Sequence, residues 1–257
     1  ANVFGPYLVP VALFAFAKMT VESGLKPLVM GALFLWFVFG ILIGFSRGSW
    51  LNLGVSFGVA IALLGFERKP AQYLRFVAVA GFLPLVVALM VILAVSTNMG
   101  GIGEMFQVRA KAQQSYDVER FATQRAILEH ALLDPIGIGP GGAVHEGVFG
   151  IAPHNLFLHV LTESGWFGAV AFYAFLAMTL WRAFNFCMQP TAIQNTYIIV
   201  FACTVGTLTQ SLFIDSTHWR HMYLLFGMLW GPVLAWQADR AAFLSQRVYA
   251  THGSNLG

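Results

Sequence analysis

Apolar runs of membrane-crossing length, separated by short charged breaks, constrain the fold of this chain more than any other feature. A helix needs about 17 to 25 mostly apolar residues to cross a hydrocarbon core of roughly 30 Å. About seven stretches fit, near 4–19, 27–45, 50–66, 74–95, 166–184, 194–213 and 221–238, with Gly and Pro inside them as bilayer helices tolerate. Composition agrees: 58% of residues are hydrophobic and only 10% charged, against about 25% charged in soluble domains, and the mean hydropathy is +0.72. These values exclude a water-soluble globule. The expected fold class is all-α, a polytopic transmembrane helix bundle.

Charge narrows the function and orients the bundle. A net +3 spread along the whole chain lacks the clustered Lys and Arg of a nucleic-acid binder. Lys18 and Lys26, then Arg68, Lys69 and Arg75, then Arg182, and finally Arg240 and Arg247 fall in alternate breaks, which places those breaks in the cytoplasm. The Arg47 turn, the long segment 96–165 and the 214–220 turn then face the opposite, periplasmic or extracellular side. The expected organisation is transmembrane spans over 1–95, a periplasmic loop over 96–165, spans again over 166–238, and a cytoplasmic tail over 239–257. In this layout the first span runs from outside to inside, so further spans, odd in number, are expected ahead of Ala1. Cys187 and Cys203 suit neither a disulfide framework nor a metal cluster.

The 96–165 segment is the one large polar insertion, and loops held by a rigid scaffold are where chemistry tends to sit. Asp117 suits the N-cap of a helix over Val118–Leu133, with Phe121, Leu128 and Leu132 spaced for one apolar face along the membrane surface. Asp134-Pro135 ends that helix. A glycine-rich run, Gly137-Ile138-Gly139-Pro140-Gly141-Gly142, reads as a turn; it lacks the preceding strand of a dinucleotide site. His154-Asn155 then leads back into the bilayer.

The candidate residues lie at the outer ends of the spans. Arg47, in a tight turn between two spans, costs a few kcal/mol at that depth unless it reaches the interface or an anionic partner. Arg120 and Arg125 lie on the loop helix, and a guanidinium matches phosphate oxygens bidentately without ever losing its proton; pairing with Glu119 or Glu129 is the alternative for each. His154 has the side chain suited to taking a proton near neutral pH, with Asn155 beside it and Glu163 nine residues on. His159 reads as an interfacial helix residue. His218, Trp219, Arg220 and His221 form a polar cap next to Asp215, as vestibule lining or a helix-end anchor. No ligand spacing calls for a metal.

Three stretches together resemble the O-antigen ligase and polymerase superfamily of polytopic bacterial glycosyltransferases. They are the Ser46-Arg47-Gly48 turn opening a span; Arg120, fifteen residues before Pro135 of Pro135-Ile136-Gly137-Ile138-Gly139-Pro140-Gly141; and His154-Asn155-Leu156-Phe157-Leu158 followed by Glu163-Ser164-Gly165. The resemblance implies a GT-C-like membrane bundle and no cofactor or metal. It implies glycan transfer from undecaprenyl diphosphate to an acceptor hydroxyl at the periplasmic face of the bacterial inner membrane. Its implied partners are the lipid-linked donor, lipid A–core or another glycan as acceptor, and membrane lipids. Arg47 and Arg120 match the family's diphosphate-binding arginines and His154 its essential loop histidine. Glu163 is second choice for the base or the orienting partner of His154, and Arg125, Asn155, His218 and Arg220 are accessory candidates. Gly44 and Gln124 depart from the common threonine and tryptophan of the family pattern.

A lipid-A–core ligase is the leading expectation. A polysaccharide polymerase and a protein O-oligosaccharyltransferase are rivals of the same class. A transporter would carry its charged residues at mid-bilayer on broken helices, whereas here the candidate residues concentrate at the outer interface and loop.

Overall fold

The computed structural model describes residues 3–22, 24–67, 115–142 and 154–253, with isolated helical positions between 77 and 108. Among the described residues the protein is all-helical, in seven helices: α1 Phe4–Val21, α2 Lys26–Ile43, α3 Arg47–Glu67, α4 Ser115–Leu133, α5 Leu156–Cys187, α6 Gln194–Gln210 and α7 Arg220–Gly253. Three of them, Lys26–Ile43, Arg47–Gly65 and Leu156–Cys187, are long and apolar enough to cross a membrane; Phe4–Thr20 is apolar but shorter. The expected span 74–95 lies outside the described residues apart from isolated positions, as do the basic anchors Arg68, Lys69 and Arg75.

The boundaries follow local chemistry. Pro27 stands in the first turn of α2, where a missing N–H is no loss. The chain then reverses at Phe45, at φ 48, and Ser46 starts α3 by accepting the Ser49 amide on its hydroxyl at 3.4 Å. α4 begins two residues before the expected Asp117 cap but stops at Leu133 as expected. The largest departure is α5. It starts at Leu156 rather than near 166, because the Asn155 side chain accepts the amides of Phe157 and Leu158 at 2.9 and 3.1 Å. Such a cap satisfies two of the orphan donors at a helix start.

α6 is the most enclosed helix, with a buried run from Tyr197 to Thr204. It packs against α1, α3, α5 and α7, while α1 also packs on α2 and α3, and α4 packs on α5. The apolar core joins α1, α2 and α3 through Phe16, Phe34 and Phe57, whose ring centroids lie 4.8 to 6.3 Å apart. Between α3 and α6 the packing becomes polar. Asn52 Nδ2 donates to Gln210 Oε1 at 2.9 Å, and Ser56 donates to Asn52 Oδ1 at 3.0 Å, all three residues being buried. Gly206 makes this closeness possible, since a Cβ there would strike Ser56 and Asn52.

Inter-helix hydrogen bonds of this kind orient helices that have little hydrophobic drive to associate within lipid. Asn52→Leu leaves Gln210 without its donor, and a buried polar group stranded this way costs about 1–3 kcal/mol. Thermal unfolding in detergent is expected to fall accordingly, and an unchanged midpoint would show that the seam adds no stability.

Candidate active site

The glycine-rich turn and the break in α5 form one unit. Gly165 interrupts α5 with φ 63 and ψ −169, a region that essentially only glycine occupies. In an unbroken helix the Trp166 N–H would bond the Thr162 carbonyl. Here the Trp166 N–H goes to Pro135 O at 3.0 Å, and Thr162 O receives the Ile138 N–H at 3.0 Å instead. Glu163 O takes the Gly139 N–H at 3.1 Å, and the Glu163 carboxylate takes the Gly141 N–H at 2.9 Å. The turn therefore inserts into the ladder of α5 and satisfies groups that the kink releases. Asp134 holds the start of this turn through the amides of Ile136 and Gly137. The Trp166 indole donates to Ala131 O at 3.0 Å and fixes the end of α4. The two motifs that are separate in the sequence interlock backbone to backbone.

A second junction forms where α6 ends. Leu156 N–H bonds Ser211 O at 2.9 Å, and Asn155 Nδ2 donates to Leu212 O at 2.9 Å. Arg120 Nη1 reaches Phe213 O at 3.5 Å, its guanidinium 5.2 Å from the centre of the Phe121 ring. Gly48, next to Arg47 in the first turn of α3, abuts the Gln210 side chain so closely that a Cβ would press on it. The Arg47 turn, Arg120 and the His154-Asn155 pair therefore all meet the short segment Gln210–Phe213. His154 is exposed at φ 46, and its carbonyl accepts from Gln124 Nε2 at 3.2 Å. Gln124, at the position of a frequent family tryptophan, thus ties α4 directly to His154.

The carboxylate of Glu163 is turned to His159, not to His154. His159 is buried, with Nε2 3.0 Å from Glu163 Oε2 and Nδ1 3.1 Å from Asp215 Oδ2. The second contact is close but without hydrogen-bond alignment. Asp215 also accepts the amide and the hydroxyl of Thr217 at 2.9 and 2.8 Å. Burial alone raises its pKa, but His159 and Thr217 outweigh that effect and bring the carboxyl down to about 2. The linear chain presents His159 as an interfacial residue and leaves Asp215 outside the site. Their one legible signal is the i, i+4 spacing of His159 and Glu163, which places both on one helix face.

The accessory candidates separate. Arg125 pairs with Glu129 at 3.1 Å on a solvated face, the two side chains 83% and 66% exposed, which is the helix-face alternative; such pairs contribute little. Asn155 is a cap and a tether. His218 is exposed, 3.9 Å from Asp215, and Arg220 is exposed at the first turn of α7. His145 and the 143–153 connector lie outside the described residues.

These observations define an all-helical protein with membrane-length apolar helices and a polar site gathered at one end of the bundle. A family model described as O-Antigen ligase (Wzy_C) matches residues 32–173, more than half of the chain and including Arg47, Arg120, His154 and Glu163. The chain belongs to this family of membrane-embedded, O-antigen ligase/polymerase-type glycan transferases. No curated protein and no solved structure matches it.

Proposed function

We propose that the chain transfers a glycan from undecaprenyl diphosphate to a hydroxyl of lipid A–core at the periplasmic face of the inner membrane, in lipopolysaccharide assembly. The observation that carries this reading is the meeting of the Arg47 turn, Arg120 and Asn155, next to His154, on Gln210–Phe213 within a family of glycan transferases. The topology assigned to it is the seven-span one, with 1–95 and 166–238 transmembrane, 96–165 periplasmic and 239–257 cytoplasmic.

In the reaction the anomeric carbon–oxygen bond to the diphosphate breaks as the bond to the acceptor oxygen forms. Direct displacement inverts the anomeric configuration. The leaving diphosphate gains negative charge, which Arg47 and Arg120 meet as fixed cations; charge stabilisation of this sort usually contributes more to catalysis than any other effect. His154 takes the proton of the acceptor hydroxyl. Glu163, with its oxygens turned to His159 and Gly141, supports the site by holding the glycine-rich turn.

The test is reconstitution of the full-length protein in vesicles with a lipid-linked glycan donor and, separately, lipid A–core, a second lipid-linked glycan, or an acceptor protein. Glycosylated lipid A–core is the expected product. Elongation of the second lipid-linked glycan would identify a polymerase instead, a glycosylated protein an O-oligosaccharyltransferase, and donor movement without a covalent product a transporter.

A further inference from the structure

We propose that His159 is a positioning residue of this site: bridged between Glu163 and Asp215, it holds the Ser211–Trp219 turn against the α5 kink and so fixes Arg120 relative to His154. The inference rests on the reading of Arg120 and His154 given above. Each carboxylate that His159 touches belongs to a different part of the site. Glu163 sits at the kink and receives the Gly141 amide, so it carries the segment that follows α4. Asp215 sits in the turn whose Leu212 and Phe213 carbonyls receive Asn155 and Arg120. His159 itself is one turn into α5, its N–H on Asn155 O at 2.9 Å. A single imidazole thus connects the anchor of α4, the turn that receives Arg120 and the helix that His154 precedes.

The ring is suited to this because its two nitrogens face different partners, Nε2 the Glu163 carboxylate at 3.0 Å and Nδ1 the Asp215 carboxylate at 3.1 Å. The surroundings are acidic on both sides: Glu163 from α5 and Asp215 from the turn, with His218 3.9 Å from Asp215. With one carboxylate at each end of the ring the cluster offers no shared centre for an ion, and among the described residues no group of three or more His, Cys, Asp or Glu side chains could hold a metal. The side chain is buried and faces protein on both nitrogens, so it acts through Arg120 and His154 and not on substrate. A displacement of about 1 Å at reacting groups can lower a rate about 10²-fold.

The experiment uses the full-length protein in vesicles with a lipid-linked glycan donor, comparing His159→Leu, His159→Arg, Asp215→Asn and the His159→Leu/Asp215→Asn double variant, each normalised to its folded fraction. His159→Leu is expected to lower kcat by at least about tenfold and to raise the donor KM, as misplacement of both groups requires. His159→Arg, whose guanidinium donors reach two carboxylates, is expected to recover at least about threefold of that loss. Asp215→Asn, nearly isosteric, is expected to reproduce the leucine phenotype, and the double variant to be no worse than the poorer single one, because coupled residues are not additive.

Kinetic constants for His159→Leu within about twofold of the parent would overturn the inference. So would losses that follow the unfolded fraction alone, or single losses that multiply in the double variant. Arg120→Ala and His154→Ala in the same assay separate the two levels: if they retain turnover, the underlying reading of the site fails, whereas their loss beside an active His159→Leu variant sinks only the positioning role.

Discussion

Glycan transfer is expected to fall by about 10²- to 10⁴-fold in His154→Ala, the range that a positioned general base contributes, with membrane insertion unchanged. Insertion is spared because His154 is exposed and its structural contact is made by its backbone carbonyl, which alanine retains. Helix α5 likewise starts from the Asn155 cap and not from the histidine side chain. Arg120→Ala is expected to reach a similar loss by another route, since loss of one group stabilising transition-state charge costs about 10²- to 10³-fold. Lysine is a poor replacement there, because a point charge cannot reproduce a planar fork on phosphate oxygens. A purified assay with lipid-linked donor decides the matter: near-normal turnover in both His154→Ala and Arg120→Ala would remove them from the chemistry.

The second large effect is expected at a residue with no side chain. Gly165→Ala places a Cβ against Pro135 O and the Ile136 carbonyl, at a backbone conformation of φ 63 and ψ −169. The clash is with backbone, so no rotamer change relieves it. Either α5 straightens and expels the glycine-rich turn, or the turn shifts and leaves the Thr162 and Glu163 carbonyls without their donors. Strain in this region costs about 1–3 kcal/mol, and each stranded buried carbonyl about 1–3 kcal/mol more. A drop of several kcal/mol in stability and near-complete loss of transfer are expected. Gly137→Ala should behave alike, because its Cβ would meet Gly165 and Glu163 from the other side, whereas Gly139→Ala, at φ 85 with open space around it, carries the strain without the clash. Melting curves of the three variants in detergent check the ranking, and a Gly165→Ala midpoint at or above that of Gly139→Ala would refute it.

Much of the frame is written locally. Apolar length gives α2, α3 and α5, Asp134-Pro135 ends α4, and Ser46 and Asn155 start helices, because run length, turn chemistry and caps involve residues a few positions apart. A run-length criterion misplaces the start of α5, since it passes over a helix whose first turns carry His159, Thr162 and Glu163. The cap at Asn155 and the kink at Gly165 reconcile the two.

The glycine-rich run reads only as a turn, since nothing in Gly137–Gly142 shows that its amides will replace donors in a helix later in the chain. His159 has a legible neighbour in Glu163, but Asp215 joins it only because the end of α6 is brought back to the start of α5 by the Ser211–Leu156 bond. The sequence by itself determined an all-helical membrane protein, its family and the residue types available for diphosphate and hydroxyl chemistry, since hydropathy and motif spacing are properties of the linear chain. Only the tertiary structure decided which of those residues meet. Backbone groups released at a kink and carboxylates buried from water must find partners, and packing supplied them from distant parts of the chain: Ile138 and Gly139 for the kink, His159 for Asp215.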